Sequence, residues 1–121
     1  MHRERKVLQN LMEDMGGCIA MVEGKKDAEA LQRYVESVIE VSGRNRNACE
    51  RAAREGAKEV AVLTNLDERG NELAEELSGE LRSCGIKPNT FLRRKIGRVL
   101  GISQMENFER KFKQRLNETK P

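Results

Sequence analysis

The sequence predicts an α/β fold in which a parallel sheet lies between two layers of helices. Short apolar runs alternate with amphipathic stretches over the first 85 residues. The runs end in turns rich in Gly, Ser, Asn and Asp. The stretches between them are long enough for crossover helices. We therefore expect a Rossmann-like, three-layer parallel sheet with right-handed crossovers, followed by two C-terminal helices.

The first three elements follow from apolar spacing. Residues 3–15 predict an amphipathic helix whose Leu and Met stripe fits either the sheet or a second subunit, so a homodimer stays open. A strand at 18–24 closes on Gly24. The next helix places four apolar residues on one face: Ala28, Leu31, Val35 and Val38.

The pattern then repeats and changes character after Cys84. Further elements are predicted in this order: a strand at 38–41, a helix over 47–57, a strand at 59–64, a helix over 71–84, a short edge strand at 85–89, and helices at 91–101 and 102–116. Ser103 and Glu106 resemble a capping box for the last helix. Its apolar stripe comprises Met105, Phe108, Phe112 and Leu116. We expect the four aromatic residues of the chain to lie on apolar helix faces: Tyr34, Phe91, Phe108 and Phe112.

Composition favours one soluble domain over residues 1–121. Charged residues make up 36% of the chain, and no window approaches the roughly 18–20 apolar residues of a membrane span. The charged N-terminus is unlike a signal peptide, which predicts a cytoplasmic protein without membrane contact. Three cysteines without C-x-x-C spacing argue against a disulfide framework or a zinc site.

Basic residues are concentrated near the C-terminus. Residues 90–121 carry nine Lys or Arg against three Glu, a local charge of +6, whereas residues 1–89 carry −3. Too few acids are interleaved to neutralise this segment, so we expect contacts with the backbone of RNA or DNA rather than merely solvated helix faces. The candidate nucleic-acid-binding residues are Lys25, Lys26, Arg69, Arg93, Arg94, Lys95 and Arg98. For Lys25 and Lys26, neutralisation of the nearby acidic side chains is an equally good interpretation.

Polar side chains follow two of the predicted strands. Glu23 comes directly after the first strand, and Asn65 and Asp67 follow the third. Ligands of open parallel sheets bind at the carboxyl ends of strands, where neighbouring crossovers diverge. If these strands are neighbours, the facing acids suit Mg²⁺, which takes few protein carboxylates and leaves waters for phosphate oxygens. Phosphodiester chemistry is the reaction class that such a site suits.

Two motifs at these strand ends resemble the Toprim family of topoisomerases, primases and ribosomal-RNA maturation nucleases. MVEGKKDAEAL is similar to its first motif and VLTNLDERG to its second, and the resemblance covers residues 18–85. It implies a Toprim sheet, with Glu23 as general acid or base and Asp67 as a Mg²⁺ ligand. The first acid of the family's metal pair falls on Asn65, whose amide oxygen can ligate but brings no charge.

Two functions follow from the resemblance. One is a Mg²⁺-dependent nuclease similar to the ribosomal-RNA maturation enzymes. The alternative is a weakened Toprim module that binds nucleic acid or a processing partner without chemistry. A regulatory domain that binds only a protein partner is a third class, supported by the generic fold alone.

Overall fold

The computed structural model describes residues 2–120 and confirms an α/β fold. No helix within this range is both long and apolar enough to cross a membrane. The elements are α1 (His2–Gly16), β1 (Ile19–Val22), α2 (Lys25–Leu31), β2 (Ser37–Glu40), α3 (Asn45–Arg54), β3 (Glu59–Val62), α4 (Glu68–Ser83), β4 (Lys87–Asn89), α5 (Phe91–Leu100), a short 3₁₀ helix (Met105–Asn107) and α6 (Phe108–Glu118).

The four strands form one parallel sheet in the order β2-β1-β3-β4. In the centre, Met21 of β1 is in register with Ile39 of β2 on one side and with Val62 of β3 on the other. β4 is the predicted short edge strand, where Pro88 lies opposite Val60. An edge position suits proline because it has no N–H to donate to a second neighbour.

A hydrophobic core lies on each face of the sheet. Helices α1, α2, α5 and α6 cover the first face, and α3 and α4 cover the second. Successive residues of a strand point to opposite faces, so Ala20 and Val22 join the first core and Met21 joins the second. The predicted three-layer arrangement is therefore confirmed.

Several predicted helix boundaries are wrong. Helix α3 spans Asn45–Arg54 rather than 47–57. Helix α2 ends at Leu31, whereas Val35 lies in the following turn and Val38 lies in β2. Leu31, Val35 and Val38 all pack on the first core. The helical spacing of these apolar residues therefore runs through a helix, a turn and a strand. Helix α4 begins at Glu68, which makes Gly70 a residue of its first turn rather than of a loop.

The predicted capping box at Ser103 is also wrong. Helix α6 begins only at Phe108, after the 3₁₀ turn, and Asn107 is its N-cap residue. The backbone carbonyl of Ser103 instead accepts a hydrogen bond of 2.7 Å from the N–H of Leu66. A tertiary contact with the loop after β3 thus replaces the local cap.

Three of the four aromatic rings are packed together as expected, with ring centroids 5.1 to 5.7 Å apart: Tyr34, Phe108 and Phe112. The expectation for Phe91 is wrong, because its side chain is 59% exposed at the start of α5. The cysteines are unpaired. Cys49 lies in the second core, where burial raises the pKa of its thiol to about 11.

Candidate functional site

The carboxyl ends of β1 and β3 form the switch point of the sheet. These strands are neighbours, yet the helix that follows β1 packs on the first face and the helix that follows β3 packs on the second. The two connections therefore diverge and leave a crevice between them. The sequence-based expectation that Glu23 follows one of these strands while Asn65 and Asp67 follow the other is confirmed.

Glu23 lies at the β1 side of this crevice. Its backbone carbonyl accepts a hydrogen bond of 2.9 Å from Ser42 N–H, which fixes the chain just beyond the strand. The side chain is half-buried, and among the described side chains its Oε1 is buried without a hydrogen-bond partner. It faces a cavity of about 180 Å³ whose other lining residues are Gly43, Arg69, Glu72, Leu73 and Glu76.

Asp67 lies at the β3 side and acts as the N-cap of α4. Its Oδ1 accepts a hydrogen bond of 2.7 Å from Gly70 N–H, which satisfies one of the free donors at the start of the helix. Its Oδ2 accepts a second bond of 3.2 Å from the Gln104 side-chain amide. Both carboxylate oxygens are thus bonded within the protein.

Asn65 is bonded in the same way. Its side-chain Oδ1 accepts a hydrogen bond of 2.8 Å from the N–H of Met105, at the start of the 3₁₀ helix. Its backbone carbonyl accepts a bond of 2.5 Å from the Arg93 guanidinium. The amide oxygen proposed as a ligand is therefore used to position a segment 40 residues further along the chain.

Residues 102–107, which we call the anchor segment, are held by both strand ends. Asn65, Leu66 and Asp67 bind it from the β3 side. From the β1 side, α2 packs against the 3₁₀ helix, and its Asp27 carboxylate accepts a hydrogen bond of 3.1 Å from Gly24 N–H. Burial raises the pKa of the Asp27 carboxyl and the Glu106 charge adds to the effect, while the hydrogen bond from Gly24 N–H opposes it.

Gly70 allows α4 to approach the loop after β3. A Cβ at this position would lie 1.8 Å from the carbonyl oxygen of Asn65. The Gly70 carbonyl also accepts a hydrogen bond of 2.7 Å from the buried Thr64 hydroxyl. Since no side chain fits there, glycine at position 70 is required by packing. Gly24 has open space around its Cα and is under no such constraint.

The oxygens at the switch point are only partly available to a Mg²⁺ ion. Such an ion needs oxygen ligands with free lone pairs directed at one point. Asn65 Oδ1 and both oxygens of Asp67 each already accept one hydrogen bond, whereas Glu23 Oε1 accepts none from the described residues. Within residues 2–120, no group of three His, Cys, Asp or Glu side chains is arranged to hold a metal ion.

Two of the predicted nucleic-acid-binding residues have internal partners instead. Arg93 is 6% exposed, and it donates to the carbonyls of Thr64 and Asn65 and to Asn71 Oδ1. Burial lowers the pKa of this guanidinium, although the Asp67 charge opposes the shift. Lys95 is ion-paired with Asp14 of α1. Both residues hold α5 in place, and their part in nucleic-acid binding stays a prediction.

The other candidate basic side chains are exposed. Lys25 and Lys26 form the first turn of α2, Arg69 lies in the first turn of α4, and Arg94 and Arg98 share the outer face of α5. Within the described residues, neither Arg94 nor Arg98 is ion-paired with an acid. These five side chains are available to a ligand.

The sequence did not indicate two roles. Asp27 bonds back to Gly24 N–H just beyond β1, and Gln104 connects the anchor segment to Asp67. Asp27 lies three residues after Gly24, the spacing at which an N3 acid bonds back to the N-cap backbone, and that spacing was a usable signal. Gln104 bonds to a residue 37 positions away, so no local pattern indicates its partner.

Fold and crevice together define a Rossmann-like α/β protein with a switch-point site. A solved structure of a protein from Aquifex aeolicus shares this fold, with a TM-score of 0.65 and 22% identity, covering 88% of this chain and 96% of that one. No family model matches the chain.

Three relatives from methanogens place the chain in a family. A UPF0292 protein of Methanosarcina barkeri is 36% identical over 113 residues, which are 90% of this chain and 78% of the relative. UPF0292 proteins of Methanosarcina acetivorans and Methanocaldococcus jannaschii are 35% and 37% identical, over 65% and 62% of their lengths and 77% and 63% of this chain. The chain belongs to the UPF0292 family.

Proposed function

We propose that the protein is a nucleic-acid-binding module that contacts the phosphate backbone of RNA or DNA without needing a metal ion. The observation that carries this proposal is the outer face of α5, where Arg94 and Arg98 are exposed and free of acidic partners within the described chain. Guanidinium groups recognise phosphate oxygens through paired hydrogen bonds.

The fold connects this face to the switch point. Arg94 lines a groove of about 620 Å³ with two further arginines, Arg82 and Arg93, and with three glutamates of α4, Glu68, Glu72 and Glu75. Helix α4 begins at the β3 end. Lys25, Lys26 and Arg69 follow β1 and β3 at the same edge of the sheet. A backbone crossing this edge would meet basic side chains from three helices.

The Toprim resemblance supports the same class of ligand. The two stretches that resemble Toprim motifs, MVEGKKDAEAL and VLTNLDERG, lie at the ends of the central strands β1 and β3, and the family that they resemble acts on nucleic acids. The hydrogen bonds of Asn65 and Asp67 favour the weakened-module alternative over the nuclease, because they already occupy one lone pair on each of these oxygens and direct the side chains at α4 and the anchor segment.

The test is salt-dependent binding of single-stranded and duplex RNA and DNA. We expect Arg94→Gln with Arg98→Gln to weaken binding and to reduce the slope of log Kd against log salt by about 0.7–0.9 for each lost phosphate contact. The matched control is Arg46→Gln with Arg54→Gln, which removes the same charge from exposed positions of α3 on the opposite layer. Equal effects of the two pairs, or no salt-sensitive binding by the wild type, would refute the proposal.

A second candidate, phosphodiester cleavage with Glu23 in proton transfer, is favoured by one observation. The buried Glu23 Oε1 has no hydrogen-bond partner among the described residues, and it faces a cavity that Arg69 also lines. This function predicts cleavage by the wild type that Glu23→Gln abolishes while binding is retained. Activity that persists in the variant would remove Glu23 from this role.

Amide-resolved NMR titration with Mg²⁺ tests directly whether the switch point binds this ion. We expect no saturable shifts at Glu23, Asn65 and Asp67 in the wild type, because the last two are already hydrogen-bonded. Asn65→Asp adds a charge at the same position and serves as the comparison. Joint saturation of all three signals in the wild type at millimolar Mg²⁺ would restore the nuclease as the leading function.

A further inference from the structure

Phe91 is the most exposed large hydrophobic side chain in the described part of the chain. Its side chain is 59% exposed, compared with 42% for Met12 and 37% for Val7 on α1. Single exposed apolar residues are common on protein surfaces. The surroundings of Phe91 therefore decide whether its exposure indicates a binding surface.

A shallow depression of about 410 Å³ lies beside the ring. Its walls include Phe91 and Pro88, and polar groups are supplied by Lys87, Asn89 and Thr90. The acid in this depression, Glu59, bonds to the Asn89 amide at 3.3 Å and forms an ion pair with Lys87 at 3.9 Å. The depression thus combines an aromatic wall with hydrogen-bonding groups, the combination that holds a planar heterocycle.

Arginines continue the same helix face. Arg94 is three residues after Phe91 and Arg98 is four residues further, so the three side chains form one exposed stripe along α5. The Phe91 N–H and the Leu92 N–H are already capped by Asn89 Oδ1, at 3.0 and 3.1 Å. Recognition on this face therefore rests on side chains, one aromatic and two cationic.

We infer that Phe91 is a base-stacking residue and that the ligand of this face is single-stranded nucleic acid. This inference rests on the proposed function and narrows its substrate class. In a duplex both faces of each base are already stacked, so only an unpaired base can offer a face to a side chain. Arg94 and Arg98 would follow the backbone of the strand whose base lies on Phe91.

Charge complementarity favours this ligand over an apolar protein partner. Arg94 and Arg98 form no ion pair in the described chain and lie within two turns of the ring. The acids nearby are Glu59, which is ion-paired with Lys87, and the α4 glutamates across the groove from Arg94. Such an arrangement repels other basic surfaces and attracts a polyanion that also carries aromatic rings. A protein partner on this face would make nucleic-acid affinity insensitive to the side chain at position 91.

The first experiment uses tryptophan fluorescence. The chain contains no Trp, so Phe91→Trp introduces a single reporter. We expect its emission to be quenched as an oligo(dT) or oligo(U) single strand is added, because a stacked base quenches the indole. Met12→Trp, at an exposed position on α1, is the matched control and should keep its emission. Equal quenching of both reporters, or none at position 91, would overturn the inference.

The second experiment measures affinity for sequence-matched single strands and duplexes. Phe91→Leu keeps an apolar side chain but removes the aromatic face, and we expect about 5- to 100-fold weaker binding of the single strand with duplex binding unchanged. Phe91→Tyr should retain most of the affinity. Met12→Leu is the control.

The two proposals fail in different ways. If the wild type binds single strands and duplexes alike, and Phe91→Leu changes neither affinity, the stacking role is refuted while backbone binding stands. If the wild type binds no nucleic acid at all, both proposals are refuted. Selective loss of single-strand binding in Phe91→Leu supports both.

Discussion

The two strand ends at the switch point differ in how their polar groups are used. Beyond β3, Asn65 and Asp67 are bonded to α4, α5 and the anchor segment. Beyond β1, Glu23 keeps a buried carboxylate oxygen without a partner among the described residues. The β3 end is therefore built for stability, whereas the β1 end retains a group whose burial has no structural explanation. Similar residues at adjacent strand ends need not share a role.

The close packing of α4 against the β3 end gives the largest expected effect. Gly70→Ala would place a methyl group 1.8 Å from the Asn65 carbonyl oxygen, so we expect a loss of about 3 kcal/mol or more in the free energy of unfolding. Urea denaturation measures it. Gly79→Ala in the same helix meets nothing within 4 Å and should instead stabilise by about 0.5–1 kcal/mol. If Gly70→Ala left the free energy of unfolding unchanged, the close contact between α4 and Asn65 would be contradicted.

Neighbouring arginines separate stability from binding. Arg93→Met removes three hydrogen bonds to the β3 end and to Asn71, and we expect a loss of about 2–4 kcal/mol. Arg94→Met, one residue away and exposed, should change stability by less than about 0.5 kcal/mol but weaken nucleic-acid binding. Thermal unfolding and binding titrations check both. Similar stability losses in the two variants would contradict the separate roles.

The link between Asn65 and the anchor segment should have a moderate effect. Asn65→Ala leaves the Met105 N–H without its acceptor, and we expect a loss of about 1–2 kcal/mol. Asn65→Asp keeps an oxygen acceptor, so it should cost less than half as much. Chemical denaturation compares the two. If both cost the same, the side-chain oxygen is not what holds the anchor segment.

The smallest effect concerns pH. Burial raises the pKa of Asp27 above its ordinary value of 3.8, so the folded state favours the protonated carboxyl. Stability from this residue is therefore present below pH 3.8 and is lost as pH rises through the folded-state pKa. The free energy of unfolding of Asp27→Asn relative to wild type should increase over that window. Urea denaturation of both proteins across this pH range measures the change, and a difference that does not vary with pH would contradict the raised pKa of Asp27.

Local patterns were sufficient for much of the fold. Apolar runs placed all four strands, and the order of strands and helices predicted the three layers. The same patterns misplaced the end of α2, because Val35 and Val38 continue the helical spacing of apolar residues. In the structure Val35 lies in a turn and Val38 lies in β2. The spacing of apolar residues therefore predicts which residues are buried more reliably than it predicts whether they lie in a helix, a turn or a strand.

At the site, the sequence determined which residue types reach the two strand ends, since a strand and the turn after it are neighbours along the chain. Only the tertiary structure decided what those residues bond to. The partners of Asn65 and Asp67 lie 40 and 37 residues away, at Met105 and Gln104. Arg93 and Arg94 are adjacent in sequence, yet one is buried and the other is exposed. Which of them turns inward depends on how α5 packs against the sheet, and that packing is a property of the whole fold.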